Sequence, residues 1–139
     1  MKELLSRLLA ITNFSKTIHY NCKGENAYSD HLLADKIGDG LDTFRDDINE
    51  ICFLGEGLDT PLSSEVLTSA ISFLPEETQD INSLFRSLDD LLVNTLEHIQ
   101  SLIDNQDDEN KISFGEENLL GGIAQDLQLK HGLLVLRLK

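Results

Sequence analysis

Four long stretches of this chain carry apolar residues at helical spacing, and only two prolines, Pro61 and Pro75, interrupt 139 residues. In residues 2–20, Leu4, Leu5, Leu8, Ile11 and Ile18 recur every three or four positions, which places them on one face of an α-helix. Residues 29–54 read as a second helix, with Ser29 as its cap and Gly55 and Gly57 as its stop. Residues 76–105 read as a third, starting just after Pro75, with a stripe of Leu84, Leu88, Leu91, Leu92, Leu96, Ile99, Leu102 and Ile103. Residues 115–138 read as a fourth, with Leu119, Leu120, Ile123, Leu127, Leu134 and Leu138. Strand-like alternation is scarce. The chain therefore reads as all-α.

About twenty residues join the second and third helices, too many for a structureless loop in a compact domain. Within them SSEVLTSAI reads as a short helix capped by Ser63 or Ser64. The expected architecture is a ferritin-like four-helix bundle, two helical hairpins joined by a long crossover that carries a short helix. Its length makes 1–139 a single domain, large enough to fold around one core without a metal or disulfide.

The formal net charge of -14 opposes binding to DNA, RNA or anionic lipid. Cys22 and Cys52 form no CxxC pair and no disulfide framework, so free structural thiols and a reducing, cytoplasmic setting are expected. The N-terminal stretch is broken by Lys2, Glu3 and Arg7 and does not read as a signal peptide. No apolar run is long enough to span a membrane.

Chemistry concentrates in the second helix. His31 and Asp35 stand one turn apart, and so do Asp46 and Glu50. Asp35 and Asp46 are eleven residues apart, nearly three turns, so all four fall in one sector of about 100°. Asp39, Asp42 and Asp47 share that sector less well and read as solvated. The two pairs lie about 16 Å apart along one helix, too far to ligate one ion. A second copy running antiparallel across a twofold axis would bring His31 and Asp35 against Asp46 and Glu50. Gly38 and Gly40 lie near the midpoint, where close helix approach would explain two glycines that each cost about 1 kcal/mol in a helix. His19, at the end of the first helix, is placed to add a nitrogen ligand. Mixed imidazole and carboxylate donors suit iron, manganese or zinc. No Glu-x-x-His occurs, which argues against the usual di-iron site inside one bundle.

These residues resemble the Dps family of mini-ferritins, the DNA-binding proteins from starved cells. HYNCKG carries His19, SDHLLAD carries His31 and Asp35, and RDDINEICFLG carries Asp46 and Glu50 before Leu54 and Gly55. The spacing of all five positions is similar to the family's without a gap. TPLSSEVLTSAI resembles its crossover helix, and LLGGIAQDLQLKHGLLVL its last helix. The resemblance implies a dodecameric homo-oligomer with a ferroxidase centre at each twofold interface. That centre would hold one or two irons, with zinc or manganese as substitutes. It would oxidise Fe2+ with hydrogen peroxide or oxygen and store the ferric product against oxidative stress. His19, His31 and Asp35 would come from one subunit, and Asp46 and Glu50 from its partner.

The chain departs from the family in three places. Tyr20 replaces the usual Trp after the first histidine, Gly132 stands where Trp is frequent, and a basic N-terminal arm is missing. Tyr20 and Tyr28 read as packing residues, with a place near the site as the alternative, His98 as facing solvent or a neighbouring helix, and His131 as packing or hydrogen-bonded. The acidic turn at 104–111 reads as solvated, with a cation-attracting pore as the alternative. The competing reading of the whole chain is a non-enzymatic ferritin-like bundle acting as a structural or interaction protein, with or without a metal.

Overall fold

A computed structural model describes residues 1–78 and 80–139. Its helices are α1 (Lys2–Asn21), α2 (Ala27–Gly38), α3 (Leu41–Asp47), α4 (Ser63–Phe73), α5 (Ile81–Asp104) and α6 (Phe114–Leu138). A π-helical turn, Ile48–Phe53, and a 3-10 turn, Leu54–Glu56, extend α3. Among the described residues there is no strand.

α1 packs against α2, α4 and α5; α5 pairs with α6; and α6 closes the ring against α2 and the π turn. The expected bundle with a helix on its crossover is thus present. Its core is the set of apolar stripes. Leu4, Leu8, Ile11 and Ile18 of α1 are fully buried, as are Leu88 and Leu92 of α5 and Leu120, Ile123, Leu127 and Leu134 of α6. Burying each contributes about 2 kcal/mol.

The second helix differs most from expectation. It starts at Ala27, so Ser29 lies inside it and donates to the Asn26 carbonyl instead of capping. It also breaks. Asp39 is extended and Gly40 adopts φ +80, a left-handed conformation that favours glycine. Gly38 is needed for another reason: a Cβ there would lie 2.5 Å from Ser15 Oγ on α1. Both glycines therefore have an account within one chain, and the crossing of two copies is not needed to explain them. The break frees the Asp39 carbonyl, which accepts from Lys130 Nζ on α6. That ammonium is almost wholly buried and also pairs with Asp126 at 2.7 Å.

Two other starts move. α4 begins at Ser63, with Leu62 in the cap position and no side-chain cap, so neither serine caps it. Of the expected helical residues 76–80, residue 79 lies outside the described residues and the others are not helical. α5 starts at Ile81 because Asp80 caps it, accepting from Ser83 N at 3.2 Å and Ser83 Oγ at 2.6 Å. Pro75 offers no such acceptor. α6 opens with a full capping box between Ser113 and Glu116.

Candidate metal centre

The turn from α1 to α2 passes through Gly24 at φ +90. It sets the last turn of α1 beside the second turn of α2, and so His19 beside His31. His19 Nδ1 donates to the His31 main-chain carbonyl at 2.8 Å, and His31 Nδ1 donates to the His19 carbonyl at 2.7 Å. A carbonyl only accepts, so the proton of each neutral ring sits on Nδ1. Each Nε2 is left as the lone-pair nitrogen, the form that ligates a metal. The rings stack with centroids 3.6 Å apart and planes 21° from parallel.

Asp30, next to His31, is 2% exposed and accepts from Arg137 Nε at 2.6 Å and Nη2 at 3.1 Å. This bidentate pair ties the start of α2 to the end of α6 and holds the turn that carries His31.

Asp35 follows one turn after His31, exposed, and accepts from Lys16 Nζ at 2.9 Å. The Lys16 hydrogen bond holds its carboxyl below the usual carboxylate range, with small help from His19 and His31. Lys16 is itself raised by the same bond. Any metal that takes Asp35 must displace or share with Lys16.

Asp46 lies in α3 and Glu50 in the π turn, both exposed. The Gly38–Gly40 break stands between them and the other three residues. The phase relation expected between Asp35 and Asp46 assumes an unbroken helix, a premise that the break removes. The wider π turn also changes the step from Asp46 to Glu50. Among the described residues of one chain, no three or more His, Cys, Asp or Glu side chains converge enough to hold a metal ion. His19 and His31 come together; Asp35, one turn after His31, is bonded to Lys16 instead, and Asp46 and Glu50 do not join them. Asp39 and Asp42 are exposed as expected, Asp42 pairing with Arg45 at 3.0 Å, whereas Asp47 is half-buried.

Sequence reasoning passed over Lys16, Asp30 and Arg137. Lys16 had a signal: it precedes His19 by three residues, on the same face of α1. The Asp30–Arg137 pair had none, since it joins residues 107 positions apart.

The other histidines are held by carboxylates. His98 faces α1, with Nδ1 2.6 Å from Glu3. Burial pushes its pKa down, opposed by Glu3. His131 Nδ1 lies 2.6 Å from Asp89, the hydrogen bond expected of it. Tyr20 and Tyr28 are 74% and 77% exposed, so they do not pack into the chain; Tyr20 sets its ring edge-on to His19. Cys22 and Cys52 are free, and burial pushes the Cys52 thiol up to about 11. In the acidic turn Asp107 accepts from the main-chain N–H groups of Glu109 and Asn110.

No protein-family model matches the chain, and no curated protein matches it in sequence. Solved structures do match. A C-terminal deletion mutant of Mycobacterium smegmatis Dps is similar with a TM-score of 0.81 at 16% identity, covering 99% of this chain and 93% of that one. A point mutant of M. smegmatis Dps1 gives 0.76 at 17% identity, covering 99% and 91%. The bundle therefore has a ferritin-like fold. It shares the fold of those Dps structures along almost its whole length. No helix among the described residues is long and apolar enough to cross a membrane.

Proposed function

We propose that this chain is a cytoplasmic mini-ferritin subunit that oxidises Fe2+ and stores the ferric product. The observation that carries the reading is the reciprocal bonding of His19 and His31, which leaves two imidazole Nε2 lone pairs side by side. The bonds that clasp α1 to α2 thus also hold both rings in the tautomer that ligates a metal through Nε2. His19, His31 and Asp35 supply one half of the site, and Asp46 and Glu50 of a second copy supply the other. The separation of these two halves within one chain supports a shared site over an internal one.

An interface for that second copy is available. Leu58, Leu62, Leu67 and Ile71, on α4 and the segment before it, are each more than half exposed. Apolar side chains exposed together on one segment favour association. The Dps fold supports a closed homo-oligomer, and we propose a dodecamer.

In the site, the carboxylates bind and bridge iron and stabilise the developing Fe3+ charge, and the imidazoles complete the coordination. Two Fe2+ held together give hydrogen peroxide two electrons at once, forming two Fe3+ and two hydroxides, so no hydroxyl radical is released. Oxygen is the alternative oxidant.

The test is Fe2+ oxidation with peroxide or oxygen, read by ferric absorbance, together with particle mass by light scattering. Asp46→Ala and Glu50→Ala should each slow oxidation at least tenfold, by the scale of lost metal-site partners. Rates equal to the parent chain's would remove the assignment. Lys16 occupying Asp35 favours a second reading, a non-enzymatic bundle. A metal-free particle with no iron uptake would select it.

A further inference from the structure

α2 buries three side chains, Asp30, Ala34 and Ile37, spaced as one face of a helix. Ala34 and Ile37 are ordinary members of such a face. Asp30 is not. It is 2% exposed, lies in the first turn ahead of the other two, and immediately precedes His31. Its carboxylate accepts from Arg137 Nε at 2.6 Å and Nη2 at 3.1 Å. The Arg137 guanidinium in turn lies 5.2 Å from the ring centre of Phe85, a fully buried residue of α5. One charged pair thus ties the start of α2 to α5 and α6.

Stability alone does not account for a carboxylate at that place. Taking two charges out of water costs about as much as their attraction returns, and apolar side chains of similar volume often hold a fold as well or better. A carboxylate–guanidinium fork supplies direction, because its two hydrogen bonds fix the rotation and the height of the helix that carries it. Apolar burial is non-directional. The next residue along needs direction. His31 and His19 reach each other's main-chain carbonyls at 2.7 and 2.8 Å, and both bonds close only when α1 and α2 stand in register.

We propose that Asp30 and Arg137 are positioning residues of the metal centre. They set the rotation and height of α2 so that both imidazoles keep their proton on Nδ1 and leave Nε2 free for a metal. The inference rests on the reading of His19 and His31 as metal ligands. It places control of that site at the last turn of α6, 107 positions from Asp30.

Asp30→Leu combined with Arg137→Met, in the intact protein, replaces the pair by apolar side chains. Thermal unfolding should be unchanged or raised. Zn2+ affinity, counted as the binding that His31→Phe loses, should fall about tenfold or more, the scale for a lost partner behind a metal ligand. Solid-state 15N NMR of histidine-labelled protein should show His19 and His31 passing from one tautomer, protonated on Nδ1, to a mixture. Arg137→Lys keeps the charge without the fork and should weaken Zn2+ by several-fold. Unchanged tautomers and unchanged Zn2+ affinity in a folded double variant overturn the proposal. So does a double variant that loses its helices by circular dichroism, because the pair then serves folding and not placement. A parent chain that oxidises no iron, but whose tautomers still change in the double variant, supports the positioning role while removing the reading of function.

Discussion

His19 and His31 are locked to each other's main chains: each ring donates Nδ1–H to the other's carbonyl, at 2.8 and 2.7 Å. One pair of bonds thus joins α1 to α2 and sets the tautomer of both rings. His31→Phe keeps a ring in the stack but leaves the His19 carbonyl without its donor. We expect a stability loss of about 1 kcal/mol, measured by urea unfolding. Fe2+ oxidation should fall tenfold or more. Full activity in a folded His31→Phe protein would mean that the pair is only a helix clasp.

Lys16 and Asp35 make the next prediction. With the ammonium at 2.9 Å, metal binding at Asp35 competes with an ion pair already in place. Lys16→Met removes the competitor. Anaerobic titration with Fe2+ or Zn2+ should then show tighter binding, by several-fold, with little change in thermal stability, because solvent screens an exposed ion pair. Weaker binding would mean that Lys16 helps to hold the carboxylate in position.

Gly38 and Ser15 form a steric pair. A Cβ at residue 38 would lie 2.5 Å from Ser15 Oγ but 3.6 Å from Ser15 Cβ. Gly38→Ala should destabilise the chain by about 2 kcal/mol through overpacking. Gly38→Ala combined with Ser15→Ala should recover most of that loss. A double-mutant cycle by denaturant unfolding measures the coupling.

Lys130 carries the break in the second helix. Its buried ammonium meets the Asp39 carbonyl and Asp126. Lys130→Met leaves both without their cation and should cost about 3 kcal/mol. The α2–α3 junction should exchange its amide hydrogens faster in the variant, whereas the ends of α5 should not.

His98 provides the pH dependence. Burial lowers its pKa below the ordinary 6.5, so the folded state favours the neutral ring. The stability this supplies is complete above the ordinary value. It declines as pH falls from there towards the lowered value, because the unfolded chain takes up the proton first. From about pH 7.5 to about pH 5.5, the parent chain should therefore lose more stability than His98→Gln. Equal losses in thermal unfolding would show that Glu3 cancels the effect of burial.

Much of the bundle could be read from periodicity. Leu4, Leu8, Ile11 and Ile18 were expected on one face and are all fully buried. The same spacing physics placed His31 and Asp35 one turn apart, and a sequence interval of twelve residues brought His19 into view. These relations are local, so the order of residues along the chain carries them.

What lay beyond the sequence is what depends on distant partners. The breadth of the second helix was decided by Gly38 meeting Ser15 and by Lys130 reaching back 91 positions to Asp39. The anchoring of the histidine turn was decided by Arg137 closing on Asp30, and the state of Asp35 by Lys16. A helical wheel assumes an unbroken helix, so it ran Asp35 and Asp46 along one face across a break it had no means to see. The sequence alone determined which faces are apolar and which side chains hold metal-ligating chemistry, because both follow from side-chain type and local spacing. Only the tertiary structure decided which of those side chains meet, because the contacts that bend helices and set tautomers are made between elements far apart in the chain.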